Sequence, residues 1–460
     1  MKRLPLSLIA HWAGGELRGE DVPVDAIAHD TRALSPGSLY VALRGERFDG
    51  HDFAQDAAMR SAAALLVEHA VDVELPQVLV ADTLLALARI AAAIQRDRRA
   101  KVLALTGSNG KTSVKALLQS ILERAGNSYF NPGNRNNEIG LPLAVIDAPD
   151  DADFAIYEMG AGKPGDIAYL TGIVAPDVAL VNNIAPAHLE RMGSLMGVAE
   201  TKGAIYSALS ERGVAVINAD DAFAEYFVQL AAGKRLLRFG LDSSADVSAR
   251  DITASGNGSR FVLVAPHGEI AVTLPLPGRH NLLNALAAAS MALACEVALP
   301  AIAEGLAAAR PVPGRQVAHT LPNGAVLIDD SYNANPGSLA AAIDALAAAG
   351  GEAWLVLGDM RELGDDGEAM HADAGRRAKA AGIRRLYTLG TLSAAAAAAF
   401  GEGARGFESH AALIEALRSD LSQLEPARRV RCLVKGSRGS AMDRIVAALL
   451  STGEDASHAA

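Results

Sequence analysis

Along the chain, short apolar runs of strand length alternate with stretches whose apolar positions recur every three to four residues. The clearest pair begins with the run at residues 102–105. A glycine-rich turn follows, and then Val114, Leu117, Leu118, Ile121 and Leu122, spaced as one face of a helix that ends at Gly126. The same rhythm predicts a helix over 84–95 and strands at 154–157, 178–181 and 214–217. Residues 245–276 instead alternate apolar and polar positions around a His267-Gly268 turn, the pattern of a small antiparallel addition. Pro311, Pro313 and Gly314 cannot continue a helix and mark 309–314 as a linker. Beyond it, strands at 325–328, 354–357, 385–389 and 431–434 separated by helical stretches imply a parallel, Rossmann-like sheet. Before residue 81 short strands and turns dominate, with a helix over 53–63 and an apolar run at 64–67. The expectation is an α/β protein of three domains: a small α/β unit over 1–81, a central mostly parallel sheet with helices over 82–310, and a Rossmann-like unit over 311–460. The small, polar tail over 451–460 reads as disordered.

Composition narrows the partners more than the fold. With 460 residues, half of them hydrophobic, the chain is too long for one core and too apolar to be disordered. A net charge of -11 without a long basic block argues against a nucleic-acid partner. Cys295 and Cys432, far apart in apolar segments, form neither a disulfide framework nor a zinc-site spacing, which fits a reducing cytoplasm. Neither a signal peptide nor a membrane-spanning run is apparent, so membrane insertion is not expected.

The turn after residue 105 carries chemistry. In Thr106-Gly107-Ser108-Asn109-Gly110-Lys111-Thr112, followed by Ser113, glycines let successive N–H groups face phosphate oxygens at a helix N-terminus. Lys111 then reaches the outer phosphates, and the Thr112 hydroxyl can ligate Mg²⁺. Strand, loop and helix together predict a P-loop-type site for ATP. Leu105 stands where the longer G-x-x-x-x-G-K-[ST] form has glycine, so this is not the standard kinase or GTPase loop. Glu158 ends a predicted strand beside the loop, where ATP-bound magnesium finds an oxygen ligand. His188 follows another strand, and Lys202 lies on a helix. Taken singly, the histidine reads as structural or exposed and the lysine as a solvated helix residue.

The order and spacing of the loop, Glu158, His188 and Lys202 resemble the Mur ligases of bacterial peptidoglycan synthesis over nearly the whole chain. The resemblance is carried by Asn131-Pro132-Gly133-Asn134-Arg135-Asn136-Asn137-Glu138-Ile139-Gly140, Tyr157-Glu158-Met159-Gly160 and Gly278-Arg279-His280-Asn281 through Asn284. It continues in Asp329-Asp330-Ser331-Tyr332-Asn333-Ala334-Asn335-Pro336, Leu357-Gly358-Asp359-Met360-Arg361-Glu362-Leu363-Gly364 and Lys435-Gly436-Ser437-Arg438. The Asp-Asn-Pro-Arg string of the family members that add lysine or diaminopimelate is missing.

The resemblance implies a cytoplasmic enzyme, a monomer, that joins D-alanyl-D-alanine to UDP-N-acetylmuramoyl-tripeptide through an acyl phosphate made with ATP. A sister ligase adding one amino acid and a non-catalytic nucleotide-binding regulator are the alternatives. It further implies two Mg²⁺ ions, one on Thr112 and Glu158 and one on His188 and Lys202, with Lys202 carbamylated by CO₂; Lys111, Glu158, His188 and Lys202 would be catalytic. Relatives commonly have Glu where this chain has Ala204. His280, Asn281 and Asn284 would line the adenine pocket, and Arg315 and Asp330 would be the last domain's contacts to ATP. Thr31, Arg32 and Arg44 would meet the uridine nucleotide, and Asn134, Asn136 and Asn137 the muramoyl-peptide. Lys435 and Ser437 would meet phosphate or dipeptide.

Overall fold

The computed structural model describes residues 1–45, 47–255, 258–424 and 429–451. The expected disorder of residues 452–460 therefore lies outside the described residues, as does Glu46. The first sheet contains β1 (Glu16–Arg18), β2 (Ala26–Ala28), β3 (Ser38–Val41), β4 (Ala64–Val67) and β5 (Gln77–Leu79) in the order β1-β5-β4-β3-β2. Only β1 runs antiparallel to its neighbour. The helix expected over 53–63 is a correction: a 3₁₀ turn, Gly50–Phe53, leads into the short helix Ala54–Met59. Ser61, at φ 64°, then turns the chain into β4.

The second sheet is parallel throughout. It comprises β6 (Lys101–Thr106), β7 (Ser128–Phe130), β8 (Phe154–Glu158), β9 (Val178–Val181), β10 (Val214–Asn218) and β11 (Arg235–Phe239). Their order is β11-β10-β9-β6-β8-β7. The chain visits β7 and β8 on one side of β6 before crossing to β9 on the other, which makes the carboxyl end of β6 a topological switch point where a ligand crevice opens. The register brings Glu158 beside Leu105, and Val181 beside Thr106. The antiparallel addition is present as β12 (Ser248–Ser255), β13 (Gly258–Ala265) and β14 (Gly268–Leu274).

The last sheet holds β15 (Val317–Thr320), β16 (Val326–Asp330), β17 (Glu352–Gly358), β18 (Arg385–Leu389), β19 (Ala404–Phe407) and β20 (Val430–Lys435), ordered β15-β16-β20-β17-β18-β19. The central four strands and β19 are parallel as the alternation predicts, but β15 runs antiparallel on the edge. Edge strands such as β15 and β19 bury little, so they lack the apolar run that marks β17. Among the described residues no helix is long and apolar enough to cross a membrane.

Two helices explain how the central unit is packed. Helix α1 (Thr83–Arg96) starts where the Asp82 carboxylate accepts the Leu85 N–H at 2.8 Å. Helix α2 (Lys111–Leu122) follows the glycine loop and buries Val114, Leu117, Leu118, Ile121 and Leu122, the stripe read from the sequence. Two later helices, α3 (Arg279–Ala294) and α4 (Leu299–Ala307), cover α2. The approach of α4 is close at Gly305, where an added Cβ would lie 2.4 Å from the Ile121 Cα. Backbone cannot yield there as a side-chain tip could. Gly305→Ala should destabilise the protein by about 1–3 kcal/mol, the usual cost of overpacking. A fall in the urea midpoint without a change in slope would show it.

Candidate active site

The glycine loop is shaped by its neighbours as much as by its own residues. Gly110 sits at φ 79°, and a Cβ there would come within 2.5 Å of both Asn182 Nδ2 and Asn284 Oδ1. Only glycine satisfies the left-handed backbone and the lack of room together. Asn183, just after β9, accepts the Asn109 N–H through its Oδ1 at 2.8 Å, while Asn182 Nδ2 donates to the Asn109 carbonyl at 3.0 Å. Ser108 bridges to Ala185, donating from its hydroxyl at 3.0 Å. Leu105, in place of the first glycine of the longer loop form, is fully buried inside β6, so the turn begins only at Gly107.

The loop opens onto a cavity of about 650 Å³. Its wall includes Ser108, Asn109, Gly110, Lys111 and Ser113 from the loop and Glu158 from the end of β8. His188, Asn136 and Asn137 reach it from connections, and His280, Asn281 and Asn284 from the first turns of α3. Arg315, Asp330 and Lys435 close it from the last domain. Thus residues from two domains and from widely separated sequence positions converge on one space. Thr106, Gly107, Thr112, Lys202 and Asn134 do not line it, nor do Thr31, Arg32 and Arg44.

The charges in and around this space are mutually dependent. Lys111 donates from Nζ to the Gly107 carbonyl at 2.7 Å, so its ammonium folds back over the loop. Burial pulls its pKa down, Glu158 opposes this and Arg315 adds to it. Glu158 is 3% exposed. Its Oε1 accepts from Asn136 Nδ2 at 3.1 Å, and its Oε2 lies 3.2 Å from Lys115 Nζ without completing a hydrogen bond. Burial raises the Glu158 pKa, but Lys115, then Lys111 and Arg315, outweigh it and hold the carboxyl below its ordinary value.

His188 adopts φ 54° and its Nδ1 contacts the carboxylate of Glu362 in the last domain. Burial still dominates and keeps its pKa below the usual histidine value, with Glu362 pulling the other way. Lys202 lies on the helix Leu195–Ser207, 1% exposed, with no hydrogen bond or ion pair of its ammonium among the described residues. Burial, with Lys111 nearby, lowers its pKa to about 7, against an opposing pull from Asp166. His280 is likewise lowered by burial, with Asp330 opposing.

On the last domain, Arg315 donates from Nη2 to Thr112 Oγ1 at 2.8 Å and stacks over Tyr332 with its guanidinium carbon 4.3 Å from the ring centre. Asp330 is paired through Oδ2 with Lys435 at 2.7 Å in a buried ion pair, so the two residues expected to meet different ligands hold each other. Ser437 is engaged within its own domain, donating to Ala334 and accepting from the Arg361 N–H. In the first domain Thr31 opens a 3₁₀ turn, Arg32 forms a two-pronged pair with Asp30, and Arg44 lies 3.1 Å from Asp49 and 3.3 Å from Glu68. Both arginines therefore face the solvent-exposed side already paired with carboxylates, so a diphosphate there must compete for them.

Sequence reasoning passed over Lys115 and Tyr332. The signal for Lys115 was available: a lysine in the middle of an apolar helix stripe, four residues after Lys111 and hence on the same face. Tyr332 stood in a segment read for Asp330, and only the three-dimensional placement of Arg315 gives it a partner.

Comparison with known proteins agrees with this architecture. Three family models match in succession: "Mur ligase family, catalytic domain" over residues 23–110, "Mur ligase middle domain" over 105–292 and "Mur ligase, glutamate ligase domain" over 314–454. The "UDP-N-acetylmuramoyl-tripeptide--D-alanyl-D-alanine ligase" of Escherichia coli is 44% identical, covering 98% of this chain and 100% of its own. A crystal structure of MurF from Acinetobacter baumannii superposes with a TM-score of 0.93 at 32% identity, covering 98% of this chain and 99% of that one. The MurF ligase from Thermotoga maritima, solved in complex with ADP, gives 0.82 at 26% identity, covering 93% and 97%. The convergent cavity, the succession of matched domains and the full-length identity have one reading: the chain belongs to the Mur ligase family.

Proposed function

We propose that the chain is an ATP-dependent ligase that joins D-alanyl-D-alanine to UDP-N-acetylmuramoyl-tripeptide in the making of peptidoglycan precursors. The observation that carries this is the single cavity onto which the glycine loop, Asn136 and Asn137, and the last domain's Asp330 and Lys435 all open, in a chain 44% identical end to end to a ligase of that name. The first, second and last sheets support units over 1–81, 82–310 and 311–460, serving the uridine nucleotide, ATP and the dipeptide in turn. The setting is the cytoplasm, where ATP and these precursors occur together, and the working unit is a monomer.

A carboxylate is a poor acyl donor, so the reaction needs a leaving group first. The terminal carboxylate oxygen of the tripeptide attacks the γ-phosphorus of ATP, the bond to the β-phosphate oxygen breaks, and ADP departs. Lys111 exchanges its bond to the Gly107 carbonyl for the transferring phosphate, while the loop N–H groups and the α2 N-terminus hold the phosphate chain. The free amine of D-alanyl-D-alanine then attacks the acyl carbon. The carbon–oxygen bond to phosphate breaks, and the amine's proton leaves with the phosphate. Asn136 and Asn137 orient the acceptor, His280, Asn281 and Asn284 take the adenine end, and closing the last domain excludes water.

The donor set fits magnesium. Glu158 offers a buried carboxylate oxygen with no completed hydrogen bond, 3.2 Å from Lys115 Nζ, and the Thr112 hydroxyl at the start of α2, which accepts from Arg315, is the second oxygen. Among the described residues no group of three or more His, Cys, Asp or Glu forms a ready cage, which suits an ion that shares its shell with phosphates and water. Thr112 and Glu158 would hold one ion, and His188 and a carbamylated Lys202 a second. When bound, Mg²⁺ supplies neutralisation of phosphate charge as it moves.

Phosphate release tests the reading. With UDP-N-acetylmuramoyl-tripeptide and ATP, release should depend on D-alanyl-D-alanine and be negligible with single amino acids. Release driven by lysine or diaminopimelate on the dipeptide precursor would identify a sister ligase, and ATP binding without amine-dependent release would identify a regulator.

A further inference from the structure

Lys115 is a buried cation that the chemistry described so far does not use. It lies on α2 within the stripe of Val114, Leu117 and Leu118, and is 4% exposed. Taking an ammonium out of water is expensive and persists only where partners replace the lost hydration. Lys115 has three. Its Nζ donates to the Asn131 carbonyl at 2.9 Å and the Gly133 carbonyl at 3.3 Å, and lies 3.2 Å from Glu158 Oε2.

Those partners belong to one connected piece of structure. The Asn131 side chain clasps the backbone of Glu158, accepting its N–H at 2.9 Å and donating to its carbonyl at 2.9 Å. It also donates to the Arg135 carbonyl at 2.8 Å, which folds the following loop back on itself. Asn136, at the end of that loop, donates to Glu158 Oε1 and lines the cavity with Asn137. One turn earlier on α2 stands Lys111, in the glycine loop. Lys115 is thus the point where the helix that receives the nucleotide touches both the buried carboxylate and the loop that faces the acceptor.

We propose that Lys115 is a positioning residue through which nucleotide binding at the glycine loop sets the 131–137 loop for the acceptor's carboxylate. This rests on the ligase reading above for the identity of the acceptor. Mechanically, a shift of α2 as phosphates dock is passed by one buried side chain to two backbone carbonyls and to Glu158. The role is one of geometry, since Lys115 lines none of the cavity itself.

The test has two arms. In Lys115→Met, which keeps the length of the side chain and removes its charge, KM for UDP-N-acetylmuramoyl-tripeptide should rise by about tenfold or more, as expected for losing a charged hydrogen bond. KM for ATP and for D-alanyl-D-alanine should stay within about threefold. In the wild-type protein, backbone hydrogen exchange over 131–137 should slow when a non-hydrolysable ATP analogue and Mg²⁺ are added, with no acceptor present. The second arm needs no variant, so it can still overturn the proposal if Lys115→Met fails to fold. Equal changes in all three KM values, lowered thermal stability with unchanged KM, or loop exchange indifferent to nucleotide would each overturn the proposal. Wild-type turnover with the dipeptide checks the ligase reading separately.

Discussion

Lys202→Ala is expected to lower turnover by about 10³-fold, in the range seen when a group that stabilises developing charge is removed, and short carboxylic acids such as acetate or formate should restore part of it. The reasoning starts from burial. An ammonium at 1% exposure with no hydrogen bond or ion pair among the described residues is poorly placed to stay charged, and its pKa falls to about 7. Near neutrality about half of the side chain is then a free amine, the form that attacks the carbon of CO₂, forms a nitrogen–carbon bond and releases a proton. The product carries carboxylate oxygens where an unpaired cation stood, which suits a hard divalent ion. A small carboxylate diffusing into the space left by alanine offers the same oxygens. Full activity in Lys202→Ala, or loss without any rescue, would remove the carbamate from the mechanism. The sign of the pH effect follows. The amine is about one-tenth free at pH 6 and about nine-tenths free at pH 8. At constant dissolved CO₂, protein stripped of CO₂ in mild acid should regain activity roughly tenfold faster at the higher pH, with a ¹³C-carbamate resonance growing in parallel.

The second large effect belongs to Glu158. Glu158→Ala should cost about 10²–10³-fold in kcat and also about 3–5 kcal/mol of stability, because it leaves the Lys115 ammonium buried without its counter-charge. Glu158→Gln separates the two losses. The amide oxygen can still face Lys115 and recover much of the stability, while a neutral amide is a weak ligand for a divalent ion and leaves turnover low. Denaturant midpoints and kcat measured on both variants check this; a glutamine variant with near-normal turnover would exclude the carboxylate from the reaction. The same pair has an acid limit. Because the Glu158 carboxyl is held below its ordinary value, its contribution is complete above the usual carboxylate range and is lost as pH falls through the lowered pKa.

The features legible along the chain are those that short-range physics specifies. The apolar run of β6, the glycines that must curl and the stripe of α2 are each specified within about twenty residues, so the loop and its flanking elements are legible in the chain alone. A strand buried on both faces, such as β9, declares itself as an apolar run, at 178–181 with the bounds observed. Glu158 could be singled out because the end of a strand beside a phosphate loop is a place where chemistry collects, whereas His280 was named only through the family resemblance. The edge strands β15 and β19 and the early end of the helix after Phe53 were not legible, since little burial marks the former and a single residue at positive φ sets the latter. Which polar groups face one another was set by the packing of the fold: Asp330 with Lys435, His188 with Glu362, Arg315 with Thr112, and Lys115 with Glu158. Asp330 and Lys435 stand 105 residues apart in the chain, and Thr112 and Arg315 stand 203 apart. Spacing along a chain carries no information about such pairs, because they are set by how sheets and domains close on one another and by the need of each buried charge for a partner.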